Sequence, residues 1–249
     1  MTNYKFAMTN RIVLLRVLCV SVVSPVCPML TRILEPEIMD SADDAREYDA
    51  MDHSAVNTQF VTDLLTTLTN SPLKILDLGA GTAQISIELA RRAPHLHITA
   101  VDAAPSMLAL ARANIAAANL TDRIEPILAD AKRLPFANNS YAAVISNSIL
   151  HHIAEPQAVV AEAIRVTIPG GLLFHRDLAR PSNVTELQHL VETYAGSATP
   201  YQRKLFADSL RAALTLDEVR ELVSQFGFAF NIVQMTSDRH WTCSAMRTQ

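Results

Sequence analysis

The sequence predicts an α/β protein with a Rossmann-like, doubly wound sheet, and three observations predict it. Short apolar runs alternate with helical segments from Leu73 onward, the rhythm of parallel strands joined by crossover helices. The first run passes directly into Gly79-Ala80-Gly81, a strand–loop–helix junction of the kind that seats ligands. Polar residues then close successive runs, at Asp77, Asp102, Asp130 and Asn147, and open parallel sheets bind ligands at those strand ends.

The elements follow in order. Ser41 to Asn70 reads as helical, with an acidic start at Ser41, Asp43 and Asp44. A second helix covers Ala55 to Thr69, with Val56, Phe60, Val61, Leu64, Leu65 and Leu68 on one stripe. Asn70-Ser71-Pro72 ends it. Strands are expected at Leu73–Leu78, Leu96–Val101, Ile124–Ala129, Ala142–Ser146 and Leu172–Arg176. Helices between them run from Thr82 to Arg92, Pro105 to Asn119 and Pro156 to Val166. Pro126 marks its strand as an edge, because proline cannot donate to a ladder. Two helices, Val184–Ala195 and Tyr201–Ala213, form an insert at about 180–214 that covers the C-terminal edge of the sheet. Thr215 and Glu218 make a capping box that opens a further helix. Strands at Ala229–Met235 and His240–Ala245 finish the chain.

Residues 29–249 make a single domain, long enough for one sizeable core. Residues 1–28 are read as an extension. Ile12 to Val23 is apolar but broken by Arg16, too short and too charged to span a membrane. It is either a targeting segment or upstream sequence with Met29 as the natural start. The net charge of −4 gives no global basic field for nucleic acid. Three cysteines without paired spacing fit reduced thiols in the cytoplasm. No stable membrane association is expected, and the oligomeric state is not legible.

The glycine loop favours one cofactor class over another. Gly79 and Gly81 admit a ligand close to the backbone, and the next helix offers free N–H groups. Gln84 stands where a dinucleotide loop carries its third glycine, which weakens a pyrophosphate reading. Asp77 suits an ammonium group, which S-adenosylmethionine carries and NAD lacks. Asp102 then suits ribose hydroxyls and Asp130 an adenine amino group, with Ala131 as a small neighbour. Met107 would pack on the adenine, and Asn147 would meet the methionine portion.

From about Leu73 to Asp177 the chain resembles the class I S-adenosylmethionine-dependent methyltransferases, especially the ubiquinone/menaquinone-biosynthesis (methyltransferase domain 11/25) type. The resemblance lies in Leu76-Asp77-Leu78-Gly79-Ala80-Gly81-Thr82, Val101-Asp102 with Ser106-Met107-Leu108, and Ala129-Asp130-Ala131 followed by Leu134-Pro135-Phe136. It continues in Ser146 to His152 and in Arg165-Val166 with Pro169-Gly170-Gly171. It implies a seven-stranded sheet in the order 3-2-1-4-5-7-6, which puts Pro126 at an edge. It also implies that the segment around Tyr48 folds over the cofactor.

Methyl transfer from a sulfonium is an in-line displacement in which the protein aligns the partners and excludes water. His151 and His152 stand where the methyl group should emerge and are the candidate bases or substrate-orienting groups. Asp177, Arg239 and His240 are candidates for binding a small-molecule substrate. His151, His152, His175 and Asp177 have no fixed metal spacing, so no metal is expected. Two other readings stand beside methyl transfer. One is a non-catalytic adenosylmethionine-binding protein; the other is an NAD(P)-dependent oxidoreductase, which lacks its third glycine and a Tyr-x-x-x-Lys pair here.

Overall fold

The computed structural model describes residues 30–37, 40–68 and 74–248. The expected extension at 1–28 and the helix end at Asn70-Ser71-Pro72 lie outside these residues. The elements run α1 (Ala42–Asp49), α2 (Ser54–Thr67), β1 (Lys74–Leu78), α3 (Gln84–Arg92), β2 (His97–Asp102), α4 (Pro105–Ala117), β3 (Ile124–Leu128), β4 (Tyr141–Asn147), α5 (Pro156–Val166), β5 (Thr167–Leu178), α6 (Val184–Ala195), α7 (Pro200–Ala212), α8 (Leu216–Ser224), β6 (Val233–Met235) and β7 (His240–Met246). Single 3₁₀ turns stand at Leu150–His152 and Phe230–Ile232.

Seven strands form one sheet in the order β3-β2-β1-β4-β5-β7-β6. The first five pair in parallel, and β7 pairs antiparallel with β5 and β6. Pro126 sits in β3 opposite Ala100, on the edge strand, where its missing N–H costs no ladder bond.

Period-2 alternation sends side chains to two cores. Ile75, Ile98, Ala143, Ile145, Leu172 and Phe174 pack against α2, α3 and α4. Leu76, Leu78, Val144 and Leu173 pack against α5 and α8 with Trp241. Arg176 points into the α2 side, donating to Asp63 at 2.6 Å and to Thr242 at 2.8 Å, and so ties α2 to β5. Leu178, Leu187, Leu190, Leu210 and Ala213 make a separate small core that fixes the insert α6–α7.

The element bounds mostly agree with the sequence reading to within two residues, and three differences have a clear structural form. α3 begins at Gln84 rather than Thr82, because Ala83 takes a left-handed conformation. Only Val233–Met235 of the expected strand at Ala229–Met235 pairs, since the preceding residues coil into a 3₁₀ turn. β5 starts at Thr167, five residues early. The capping box at Thr215 and Glu218 is present, and Thr199 with Gln202 makes a second at α7. Among the described residues, no helix is long and apolar enough to cross a membrane.

Candidate active site

A cavity of about 1,090 Å³ opens at the C-terminal ends of β1, β2 and β4, beneath α1 and the insert. Every sequence-predicted site residue lines it except Asp177.

The glycine loop forms one wall. Gly79 and Gly81 both have positive φ, at 67° and 55°. A side chain at Gly79 would strike Ile149, with a Cβ only 2.8 Å from the Ile149 Cδ1. Ala80 donates its N–H to the Val101 carbonyl at 2.9 Å, which sets the loop against β2. Tyr48 lies above Gly81, its ring 5.0 Å from that of His53. Met107 is buried with Ala45 and Ala104 where α1 meets α4.

The carboxylates at the strand ends differ in environment. Asp77 is buried and, among the described residues, accepts only the Ser86 hydroxyl, at 2.7 Å. Burial pushes its carboxyl up to about 7, and the charge of Asp102 adds to the effect. Asp102 accepts the Gly81 N–H at 2.8 Å and the Ala104 N–H at 2.9 Å. Burial still holds its carboxyl above the ordinary range, against the pull of those two amides. Asp130 is half exposed, accepts the Lys132 N–H at 2.8 Å and stands beside the buried Ala131.

On the cofactor side of this cavity, two buried polar atoms have no hydrogen-bond partner among the described residues, Asn147 Oδ1 and His53 Nε2. Such atoms are costly unless something satisfies them. Together with Asp77, whose proton a cation would displace, they match the polar methionine end of S-adenosylmethionine. Asp102 offers carboxylate oxygens for ribose hydroxyls, and Asp130 with Ala131 and Met107 fits the adenine. The residues present therefore fit that cofactor.

The other wall is built differently. The 3₁₀ turn after β4 presents His151 and His152, with ring centroids 4.1 Å apart and planes tilted by 37°. His151 Nδ1 lies 2.6 Å from Asp177 Oδ1, and its backbone N–H donates to Oδ2 at 3.1 Å. Burial opposes the charge on His151, but Asp177 outweighs it and raises the histidine's proton affinity. Burial likewise works against the Asp177 carboxylate, yet His151 and the surrounding amides hold it below the ordinary range. Asp177 is thus not a substrate-binding residue. It is 1% exposed and turned to His151 and the Leu178 N–H, away from the cavity.

His240 and Arg239 do line the cavity, at the turn between β6 and β7. His240 Nδ1 lies 2.9 Å from the Ser237 hydroxyl, and burial pushes this imidazole down to about 4, so it is neutral. The Arg239 guanidinium lies 3.3 Å over the Tyr194 ring and 3.2 Å from Asp238. His175, weighed for metal, instead faces the Ser146 hydroxyl at 2.7 Å.

The sequence reading missed Glu35, Gln202, Phe206 and Ser209, which also line the cavity. Residues 30–40 contribute the first of them. Leu30 donates to the Ser182 carbonyl and Ile33 to that of Arg211. Arg32 reaches the carbonyls of Ala212 at 2.7 Å and Ile153 at 3.1 Å. Glu35 then lies 3.2 Å from His152 Nδ1 and accepts the Ser209 hydroxyl at 3.0 Å. Nothing in the periodicity of these residues signals such a role. Glu35, His151 and His152 place ligand atoms within 4.8 Å of one another. Each imidazole already faces a carboxylate, His151 that of Asp177 and His152 that of Glu35.

Comparison with known proteins decides the family. A methyltransferase domain model matches residues 75–171. A demethylmenaquinone methyltransferase of Thermotoga maritima is 30% identical over 168 residues, 64% of this chain and 71% of the relative. The chain belongs to the S-adenosylmethionine-dependent methyltransferases. A ubiquinone/menaquinone biosynthesis C-methyltransferase of Roseobacter denitrificans is 28% identical over 165 residues, 62% of this chain and 66% of that one. The chain thus spans about two thirds of the length of these methyltransferase relatives. A candidate S-adenosyl-L-methionine-dependent methyltransferase from Methanococcus maripaludis shares the fold. Its TM-score is 0.68 at 18% identity, over 87% of this chain and 98% of that one. Membership in this methyltransferase family removes the dinucleotide oxidoreductase reading.

Proposed function

We propose that this protein transfers a methyl group from S-adenosylmethionine to a small-molecule acceptor. The observation that carries the reading is one cavity with two unlike walls. Acidic strand ends fit a cofactor on one side, and two histidines, each facing a carboxylate, stand on the other. The cofactor, when bound, supplies an electrophilic methyl group on a sulfonium. The protein's part is to align the acceptor with it, exclude water and take a proton where the acceptor must lose one.

His151 and Asp177 resemble a base held by an orienting carboxylate. With Nδ1 committed to Asp177, Nε2 is the nitrogen left to receive a proton. His152 offers a second such nitrogen beside it. The insert helices α6 and α7 roof this end, and that enclosure favours a small acceptor over a polymer. Arg239 and His240 supply polar contacts for the acceptor's far side. The relatives' names point to carbon of a quinone precursor as one acceptor to try.

The test is release of S-adenosylhomocysteine from S-adenosylmethionine with a fractionated metabolite extract. Release that depends on one fraction supports the reading. Tight binding of the cofactor with no release from any fraction would instead support a binding protein without turnover.

A further inference from the structure

Residues 30–37 and Asp40 reach both walls. Their start is bonded to the insert through Ser182 and Arg211. Arg32 then holds the turn that carries the histidines, by way of the Ile153 carbonyl. Glu37 pairs with Lys132 at 2.7 Å, in the loop after β3. Asp40 accepts the backbone N–H and hydroxyl of Ser106 at the start of α4, at 3.2 and 3.1 Å. Between these anchors stands Glu35, whose side chain is 13% exposed.

The Glu35 carboxylate is divided between two partners. Oε1 accepts the Ser209 hydroxyl from α7, and Oε2 faces His152 Nδ1 at 3.2 Å. The nitrogen lies off the hydrogen-bond direction and has no other partner, although it is buried. Burial of Glu35 opposes its charge, but the pull of His152 prevails and lowers its carboxyl below the ordinary range. The buried carboxylate is thus ionised and stands ready to accept from an imidazole N–H.

We propose that Glu35 is a positioning residue that holds His152 with its proton on Nδ1. Nε2 of His152 is then the free base toward the acceptor, and Ser209 ties this orientation to the closed insert. The arrangement repeats, from a different part of the chain, what Asp177 does for His151. Two histidine–carboxylate pairs therefore stand side by side, one built into the sheet and one delivered by residues 30–37. The proposal rests on the methyltransferase reading of the site, but its first test does not need turnover.

That test is the tautomer of His152, read from long-range ¹H–¹⁵N correlations of the full chain with S-adenosylhomocysteine bound. The wild type should show the proton on Nδ1. Glu35→Ala should move His152 to the Nε2–H form, and Glu35→Gln, whose amide oxygen can still accept, should keep most of the Nδ1–H form. In Glu35→Gln the melting temperature should match that of the wild type, and S-adenosylhomocysteine affinity should stay within twofold of it. Ser209→Ala, which leaves the carboxylate in place but frees one oxygen, should broaden the His152 signals. An unchanged tautomer in folded Glu35→Ala overturns the proposal, as does an Nε2–H form in the wild type. Once an acceptor fraction is found, Glu35→Ala should lower kcat at least tenfold with the KM for S-adenosylmethionine unchanged. A rise in that KM with kcat unchanged also overturns it. Failure of every fraction to yield S-adenosylhomocysteine would count against the methyltransferase reading and leaves the tautomer result to judge Glu35.

Discussion

The two walls of the cavity are made by different means. The cofactor wall comes from consecutive strand ends, so Asp77, Asp102, Asp130 and Asn147 reach it through β-strands that the core already fixes. The acceptor wall comes from a 3₁₀ turn, an insert and the segment 30–40, whose parts meet across long stretches of chain. Arg32 and Ala212 are 180 positions apart, and Glu35 and Ser209 are 174 apart. A site built on strand ends can be read locally; a site assembled from distant segments cannot.

Three perturbations probe that contrast. The largest effect belongs to Asp177→Asn, which leaves His151 buried without its charged partner. Breaking such a pair costs about 3–5 kcal/mol, so the melting temperature should fall by many degrees while the fold of the cofactor wall persists. Because the Asp177 carboxyl is held below its ordinary range, its contribution is full above the unfolded value. It is lost as pH falls through the folded one. An unchanged melting temperature would make the pair dispensable and erase the distinction between the walls.

Asp102→Ala should come next, weakening S-adenosylmethionine binding roughly 100-fold, in line with the loss of charge-assisted hydrogen bonds worth about 1.5–3 kcal/mol. The variant also frees the Gly81 and Ala104 amides. Calorimetry that found the affinity unchanged would remove the ribose role.

Asp77 should show itself differently, as a pH dependence rather than a simple loss. Its carboxyl stands at about 7 in the ligand-free protein, far above the value of the unfolded chain. A group raised in this way keeps its proton when folded, so stability declines as pH rises from about 4 to about 7 and then levels. A cationic ligand reverses the preference, so S-adenosylmethionine affinity should climb with pH up to about 7, with proton release on binding. Asp77→Asn should flatten both curves. A slope that survives the substitution assigns the titration elsewhere.

Much of the fold was legible because its signals are local. The alternation of apolar runs, Pro126 on its edge strand and the capping box at Thr215 all depend on neighbours in sequence. The start of α3 was misplaced because Ala83 adopts a left-handed conformation that alanine composition does not announce. Asp177 was assigned to substrate because a strand-end position does not reveal which way the side chain turns. Glu35 carried no signal, since its partners His152 and Ser209 are brought to it only by the folded insert.

The insert has one more property. Ala179 and Leu214 are bridge partners, so residues 180–213 leave the fold and return to it at adjacent points. Their small core is distinct from the two that cover the sheet and takes in only Leu178 from the end of β5. Loop closure depends only weakly on what lies between two neighbouring ends. The insert is accordingly an exchangeable cassette. Its sequence can drift, lengthen or be swapped while the sheet beneath continues to hold the same cofactor, so the choice of acceptor can evolve without re-solving the fold.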